Sequence, residues 1–234
     1  MLGYRARIGY TAPLSAIEVF PYEFYKIVPE GVTLVVSTAP AGVPEWEESN
    51  FPISEASARE MGDLGVNVII VGGANARFGF ERLERQAKEL TDKYGIPVTN
   101  TREAQIHAMR ELGAKRILLA MAFNPAGRET YERFANDGFE VIGVAGAGYT
   151  IPQLGLVPVD APAQVARRLA AEHPEADTIF IPAPHWPAAS NVEMLEQETG
   201  MNVVTSTQSM VWEGLRLSKV TDSIQGFGRL LREH

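Results

Sequence analysis

The stretch from Gly65 to Phe80, GVNVIIVGGANARFGF, constrains the fold more than any other part of the chain. Its β-branched run over Val66 to Val71 is typical of a strand that is buried on both faces of a parallel sheet. The run ends in Gly72-Gly73-Ala74-Asn75, and apolar residues at helical spacing follow at Phe78, Leu83, Ala87 and Leu90. The sequence therefore predicts a junction between the carboxyl end of a parallel strand and the amino end of a helix.

A junction of this kind is suited to binding an anion. Open α/β sheets bind ligands beyond the carboxyl ends of their strands, and free backbone N–H groups and the helix dipole favour negative charge there. Gly72 and Gly73 would let a ligand approach the backbone without a Cβ in the way. The alternative interpretation is a tight strand–helix turn without a ligand, and this stretch alone leaves both open.

Composition limits the classes of partner. The 234 residues suffice for one large domain or two small ones, and 45% hydrophobic with 21% charged residues is an ordinary globular balance. No apolar run approaches the roughly 20 residues of a membrane span, and the start lacks a signal-peptide core, so we expect a cytoplasmic protein without a membrane partner. The net charge of −8 and the absence of a basic patch argue against nucleic acid. A small anion stays possible as a ligand, because backbone dipoles can make a pocket locally positive.

Cysteine is absent from the chain and histidine is scarce. The chain has no cysteine, which excludes disulfides, thiolate metal sites and cysteine catalysis. The four histidines are His107, His173, His185 and His234, and none lies in an HExxH motif. We therefore expect no metal site.

Strand and helix patterns alternate along the chain. Strands are predicted over residues 7–13, 32–37, 66–71, 96–100, 116–122, 139–145, 178–181 and 203–205. Helices are predicted over residues 53–64, 78–94, 101–112, 128–137, 163–172, 192–199 and 207–217. Ile224, Phe227, Leu230 and Leu231 predict a last helix within residues 219–234, packed on its own subunit or on another, so a homo-oligomer stays open.

The two parts of the chain repeat one unit. Val98-Thr99-Asn100-Thr101 corresponds to Val204-Thr205-Ser206-Thr207, and Val68 to Asn75 corresponds to Thr178 to His185. The repeat predicts an α/β fold with two pseudo-symmetric, doubly wound, four-stranded parallel-sheet halves. We expect an N-terminal half of residues 1–113 plus 211–234 and a C-terminal half of residues 114–210. The carboxyl ends of their strands would face one another across an active-site cleft.

With these elements in place, the chain resembles the aspartate/glutamate racemase superfamily, and within it the branch of arylmalonate decarboxylases and maleate cis-trans isomerases. The resemblance covers nearly the whole chain and is carried by Ile8 to Pro13, Val68 to Asn75, Pro97 to Gly113, Arg116 to Phe123, Thr178 to His185 and Val203 to Arg216. It implies chemistry without a cofactor, through a carbanion next to a carboxylate. In this family a ligand carboxylate sits among backbone amides and hydroxyls, and a cysteine moves a proton or attacks carbon.

The chain departs from the family at both thiol positions. The first cysteine position falls on Gly73, as in the decarboxylase, and the second falls on Ala183. Two-base racemisation by thiols is therefore impossible in this chain, and the decarboxylase mechanism lacks its thiol proton donor.

Other family site positions also differ in chemistry. A family tyrosine after the fifth strand falls on Phe123, which has no hydroxyl. The small hydroxyl residues that usually follow the first cysteine position are here Ala74 and Asn75. Pro184 follows the second position and has no N–H to donate. Pro13 matches a family pocket proline.

His185 and Asn75 occupy equivalent places in the two repeats and are the predicted catalytic residues. A histidine at the carboxyl end of a strand, beside Trp186, can do acid–base work, and the aromatic neighbour favours the neutral imidazole. The alternative is a histidine that is hydrogen-bonded within a proline-rich loop. Asn75 can donate to a carboxylate oxygen or cap the following helix. The predicted substrate-binding residues are Thr11, Pro13, Gly73, Ala74, Phe123, Asn124, Ala183 and Pro184.

Three functions stay open, because a fold does not fix a function. The favoured one is a carbon–carbon lyase or isomerase on a small carboxylic acid, with His185 replacing the thiol as proton donor. The second is a hydrolase or hydratase in which His185 activates water. The third is a catalytically silent carboxylate-binding protein.

Overall fold

A computed structural model describes residues 2–12, 14, 17–38, 51–72, 80–125 and 129–234. Strands and helices alternate as predicted, and the strands form two four-stranded parallel sheets. The predicted fold class, α/β with two parallel four-stranded sheets, is thereby confirmed. No helix within the described ranges combines the length and the apolar character that a membrane crossing requires.

The first sheet has the strand order β2-β1-β3-β4. Its strands are β1 (Ala6–Ala12), β2 (Val32–Thr38), β3 (Val68–Val71) and β4 (Val98–Asn100). Every residue of β3 is buried, as its unbroken β-branched sequence predicts for an inner strand. Pro97 lies just before the edge strand β4, where a missing N–H does not interrupt the sheet.

The second sheet has the equivalent order β6-β5-β7-β8. Its strands are β5 (Arg116–Met121), β6 (Glu140–Gly146), β7 (Thr178–Ile181) and β8 (Asn202–Thr205). Strand β7 takes the place that β3 has in the first sheet, and all its residues are buried. The two sheets thus share one strand order, as the sequence repeat predicts.

Nine α-helices lie in the described part of the chain. They are α1 (Val19–Ile27), α2 (Phe51–Asp63), α3 (Phe80–Tyr94), α4 (Thr101–Glu111), α5 (Glu129–Asn136), α6 (Ala161–Glu172), α7 (Val192–Thr199), α8 (Ser206–Leu217) and α9 (Arg229–Glu233). Short 3-10 helices cover Ile151–Gln153 and Ala189–Asn191. Gly200 ends α7 in the left-handed conformation at φ 72°, at the residue after the predicted helix over residues 192–199.

Two compact units make up the chain. The first comprises Met1–Ile17, Val28–Ala104 and Met210–Asp222, and the second comprises Glu18–Ile27, Gln105–Ser209 and Ser223–His234. The first contains the β1–β4 sheet, and the second contains the β5–β8 sheet.

The boundaries of these units differ from the predicted halves in three segments. Helix α1 lies in the second unit, where Glu23 accepts a hydrogen bond from the Ala189 N–H. The segment after residue 104 also lies there, since Gln105 donates to the Ser206 hydroxyl at 2.7 Å. So does the C-terminal segment, in which the Arg229 N–H donates to Glu196.

The structure differs from the sequence analysis at two elements. Helix α1 was not predicted, although Val19, Phe20, Phe24 and Ile27 are buried along it. The predicted helix within residues 219–234 shrinks to Arg229–Glu233, because Gly226 and Gly228 take φ values of 89° and 83° that an α-helix does not allow. The short α9 packs within this chain, with Leu230 and Leu231 fully buried.

Candidate active site

The predicted proton donor lies in a tight turn at the carboxyl end of β7. The Trp186 N–H donates to the Ala183 carbonyl at 3.2 Å, which closes a four-residue turn with Pro184 and His185 at its centre. Proline at the first central position favours such a turn, because its φ angle is already fixed near the required value. The sequence therefore sets the place of His185 beyond a buried strand.

Ala183, the first residue of this turn, is held in an unfavourable conformation. Its φ is 89°, and Lys219 is the one other non-glycine residue of the described chain with a positive φ. A Cβ in this region costs about 1–3 kcal/mol, so the surroundings must impose the conformation. Strain of this kind is concentrated at functional sites, and the resemblance places the second family cysteine at this same residue.

The side chain of His185 is half-buried. Its Nε2 atom is buried and has no hydrogen-bond partner among the described residues. Burial lowers the pKa of His185 from 6.5 to about 4, so the ring is neutral at pH 7 in the unliganded chain. A buried nitrogen without a partner is costly unless a ligand or water completes it.

The last residue of the turn, Trp186, packs its side chain into the apolar core. Its side chain is fully buried, and its ring meets the half-buried Tyr149 ring at an interplanar angle of 66° with centroids 6.3 Å apart. The drier surroundings that the sequence suggests for His185 are consistent with this packing. They are the physical cause of the lowered pKa.

The ends of β5 and β6 meet at the same edge of the sheet as the end of β7. The Ala147 N–H donates to the Met121 carbonyl at 2.9 Å, which joins the segments that follow β6 and β5. A Cβ at Gly146 would lie 2.1 Å from the Phe123 carbonyl oxygen, so this close approach requires glycine.

Two predicted substrate-binding residues follow β5. Phe123 is half-buried and packs with Ala183 against the core that contains Trp186. Asn124 is exposed, and its Oδ1 would lie 3.2 Å from a Cβ added at Gly148. Phe123 and Ala183 therefore pack against one common core, whereas Asn124 is exposed.

The remaining predicted site residues belong to the first unit or lie outside the described residues. Thr11 is buried at the carboxyl end of β1, and its hydroxyl accepts a hydrogen bond from the Gly72 N–H at 3.3 Å. Pro13, Gly73, Ala74 and Asn75 lie outside the described residues, so their assignment stays a prediction.

Sequence reasoning missed Glu23, which is hydrogen-bonded to Ala189, three residues after the turn. Its side chain is 1% exposed, and its Oε1 accepts a hydrogen bond from the Ala189 N–H at 2.8 Å. Its Oε2 is buried without a hydrogen-bond partner among the described residues. A signal for it existed, because Glu23 stands between Val19 and Ile27 at helical spacing, which puts an acid into an apolar stripe.

The pKa of Glu23 is raised to about 7. Burial is the main cause, and the Thr207 hydroxyl, the Ala189 and Ser190 amides and the Lys26 charge partly oppose it. The groups that act on Glu23 lie at the starts of two helical segments of the second unit, since Thr207 is in the first turn of α8 and Ala189 begins the 3-10 helix that precedes α7. A carboxylate is favourable at the amino ends of helices.

This structure defines a class of protein: an α/β chain with two four-stranded parallel sheets of equivalent order and a candidate site at the strand ends. A family model for arylmalonate decarboxylase matches residues 31–231. The chain belongs to the arylmalonate decarboxylase family.

Solved structures agree with this fold. Arylmalonate decarboxylase superposes with a TM-score of 0.81 at 22% identity, over 97% of this chain and 100% of that one. Maleate isomerase from Pseudomonas putida S16 has a TM-score of 0.83 at 18% identity, over 97% and 98%. Nocardia farcinica maleate cis-trans isomerase bound to TRIS has a TM-score of 0.82 at 20% identity, over 97% and 98%. No curated protein matches the sequence significantly.

Proposed function

We propose that the chain is a cofactor-independent lyase that decarboxylates a substituted malonate, with His185 as the proton donor in place of the family cysteine. The observation that carries the proposal is the buried, unpartnered Nε2 of His185, two residues after the strained Ala183 at the end of β7. Membership of the arylmalonate decarboxylase family supports the reaction class.

The proton donor acts after the carbon–carbon bond has broken. One carboxylate of the malonate leaves as carbon dioxide, and the electron pair of the broken bond moves into the remaining carboxylate to form an enediolate. The His185 Nε2–H then gives its proton to the α-carbon, and the product is a monocarboxylate. The imidazole returns to its neutral form, so one proton from solvent is consumed in each turnover.

The burial of His185 fits this role only together with a charged substrate. An imidazole with a pKa of about 4 carries almost no proton at pH 7. A bound dianion favours the imidazolium and raises the pKa, so we propose that the ring takes up a proton from solvent when the substrate binds. The half-buried Phe123 and Tyr149 offer apolar surface for an aryl substituent.

The other predicted contacts complete the proposal. Thr11, Pro13, Asn75 and Asn124, together with the Gly73, Ala74, Ala183 and Pro184 positions, are proposed to shape the carboxylate site. In this proposal Asn75 donates to the enediolate, as an amide can.

The deciding experiment replaces the imidazole. His185→Ala should lower kcat for phenylmalonate at least about 100-fold, which is the usual effect of removing a general acid. The dissociation constant for malonate should change little, because the donor acts after binding. Carbon dioxide release and monocarboxylate formation measure turnover, and unchanged turnover would rule the role out.

A second variant tests the position that the resemblance singles out. Adding Ala183→Cys to the His185→Ala variant should restore part of the turnover, because it places a thiol at the second family position.

Wild type in deuterium oxide should give a product with one α-deuterium. Release of carbon dioxide separates this reaction from cis-trans isomerisation of maleate, which is the alternative that the isomerase neighbours raise. A silent carboxylate-binding protein would give neither product.

A further inference from the structure

We propose that Glu23 is a positioning residue for His185: its buried carboxyl group ties the segment of residues 182–191 to helix α1 and thereby holds the imidazole at the end of β7. The inference rests on the proposed function for its catalytic meaning, but the placement of the ring can be measured without turnover. Glu23 does not contact the reacting atoms in this proposal.

The first step is the way in which this segment is attached. It begins at the fully buried β7, turns at residues 183–186 and continues into the 3-10 helix Ala189–Asn191. Its far end is held by Asn191, whose Nδ2 donates to the carbonyls of Val159 at 2.7 Å and Pro187 at 3.2 Å. The Ala189 N–H donates to Glu23 Oε1 at 2.8 Å, in fully buried surroundings.

The second step is the strain that these anchors must hold. Ala183 at φ 89° would relax if the segment were free to move. His185 lies between the strained residue and the anchored end, so its ring position depends on both. Trp186 fills the core below and restricts the turn further.

The third step is the choice of a carboxyl group. Glu23 Oε1 accepts from the Ala189 N–H, and the Ser190 amide and the Thr207 hydroxyl also act to lower the pKa of Glu23 from the amino ends of two neighbouring helical segments. Lys26, one turn further along α1, is the one charged group that acts on it in the described chain. A carboxyl group keeps an oxygen acceptor for the Ala189 N–H whether or not it is ionised, which a smaller side chain at this place could not supply.

Nuclear magnetic resonance of the histidine rings provides the test, because the chain has only four histidines. The His185 ring signal is assigned by its loss in His185→Ala. In wild type it should titrate near pH 4. In Glu23→Ala the loosened turn should admit water, and the midpoint should move by at least one unit toward the ordinary value of 6.5.

Three further variants keep the result interpretable. Glu23→Gln retains an oxygen acceptor for the Ala189 N–H and should keep the low midpoint. Glu23→Leu retains volume without an acceptor and should behave like Glu23→Ala, so the test does not depend on one variant that folds poorly. Glu196→Ala is the matched control, since Glu196 is another buried carboxylate of this unit but accepts from the Val203 and Arg229 amides. It should leave the His185 midpoint unchanged.

Activity gives the second readout. Glu23→Leu should lower kcat about 10- to 100-fold, the size expected when a catalytic group is misplaced, with KM nearly unchanged, and Glu23→Gln should restore most of it. An unmoved His185 midpoint in both Glu23→Ala and Glu23→Leu would overturn the proposal, as would an equal shift in Glu196→Ala. A shifted midpoint together with unchanged turnover in His185→Ala would instead reject the proposed function and leave the positioning role in place.

Discussion

The two junctions at which a strand passes directly into a helix are alike in local structure and unlike in surroundings. Strand β4 ends at Asn100 and α4 begins at the next residue, and β8 ends at Thr205 and α8 begins at the next residue. Asn100 Oδ1 accepts from the Glu103 N–H at 3.0 Å, and Thr205 Oγ1 accepts from the Gln208 N–H at 3.1 Å. Both are helix caps of the same kind.

The difference lies in what covers each junction. The first turn of α4, residues 101–103, is half-buried, whereas residues 206–209 of α8 are at most 2% exposed. The Gln208 Oε1 also accepts from the Thr205 N–H at 3.2 Å, which completes a reciprocal pair of bonds. At the second junction the buried Glu23 acts on Thr207, whereas at the first junction the Thr99 hydroxyl, one residue before Asn100, donates to the buried Glu213 at 3.4 Å. The same local pattern thus becomes part of a candidate site only where a neighbouring helix removes it from water.

The largest expected effect concerns how stability depends on pH. The folded-state pKa of Glu23 is raised from 4.5 to about 7, so the folded chain binds more protons between these values and this group makes stability fall as pH rises. His185 acts oppositely, because its pKa is lowered from 6.5 to about 4 and its contribution rises with pH in that window. Each group changes the free energy of unfolding by about 1.4 kcal/mol per pH unit.

Single variants should therefore separate the two slopes. The free energy of unfolding of Glu23→Gln, measured relative to wild type, should rise by about 3 kcal/mol as the pH goes from 4.5 to 7. That of His185→Gln, also relative to wild type, should fall by a similar amount as the pH goes from 4 to 6.5. Urea unfolding at a series of pH values measures both. Asn100→Ala, at the first junction, serves as the control and should keep the wild-type slope. Parallel profiles for all four proteins would contradict the assigned protonation states.

The two helix caps should differ in how much each contributes to the free energy of unfolding, and this difference should be smaller than the effects of pH. Thr205→Ala removes a cap at the covered junction and should cost about 2 kcal/mol, whereas Asn100→Ala should cost about 1 kcal/mol. The reason is that the Gln208 N–H loses its partner where water cannot replace it. Urea midpoints with the m-value checked for each variant measure the difference. Equal losses would show that burial does not distinguish the two junctions.

The smallest expected effect is at the strained turn. The sequence repeat pairs Gly73 with Ala183, so Ala183→Gly gives the second unit the same residue that the first unit has at this position. Glycine accepts φ 89° without a Cβ penalty but adds freedom to the unfolded chain. The net change in unfolding free energy should stay within about 1 kcal/mol, and the His185 ring signal should keep its low titration midpoint. A loss well above that size would mean that the Ala183 methyl group packs favourably and that its backbone strain is small.

Much of the fold followed from patterns that act over a few residues. The fully buried β3 and β7 have sequences of apolar and β-branched residues that favour inner strands, and Gly200 stops α7 where it was expected to. Helix α1 escaped prediction because Glu23 interrupts its apolar stripe, and burial of an acid depends on partners that are far away in sequence. The C-terminal helix was overextended because helical spacing outweighed the two glycines at residues 226 and 228.

The sequence by itself determined the alternation of strands and helices, the family, and the place of His185 beyond an inner strand. It also determined that no thiol can act, since the chain has no cysteine. Only the tertiary structure decided that the His185 Nε2 atom is buried without a hydrogen-bond partner among the described residues, that Ala183 is strained and that Glu23 is bonded to Ala189. The physical reason is that periodicity and capping are local properties, whereas desolvation and hydrogen bonding of a buried group depend on residues such as Glu23 and Ala189, which only folding brings together.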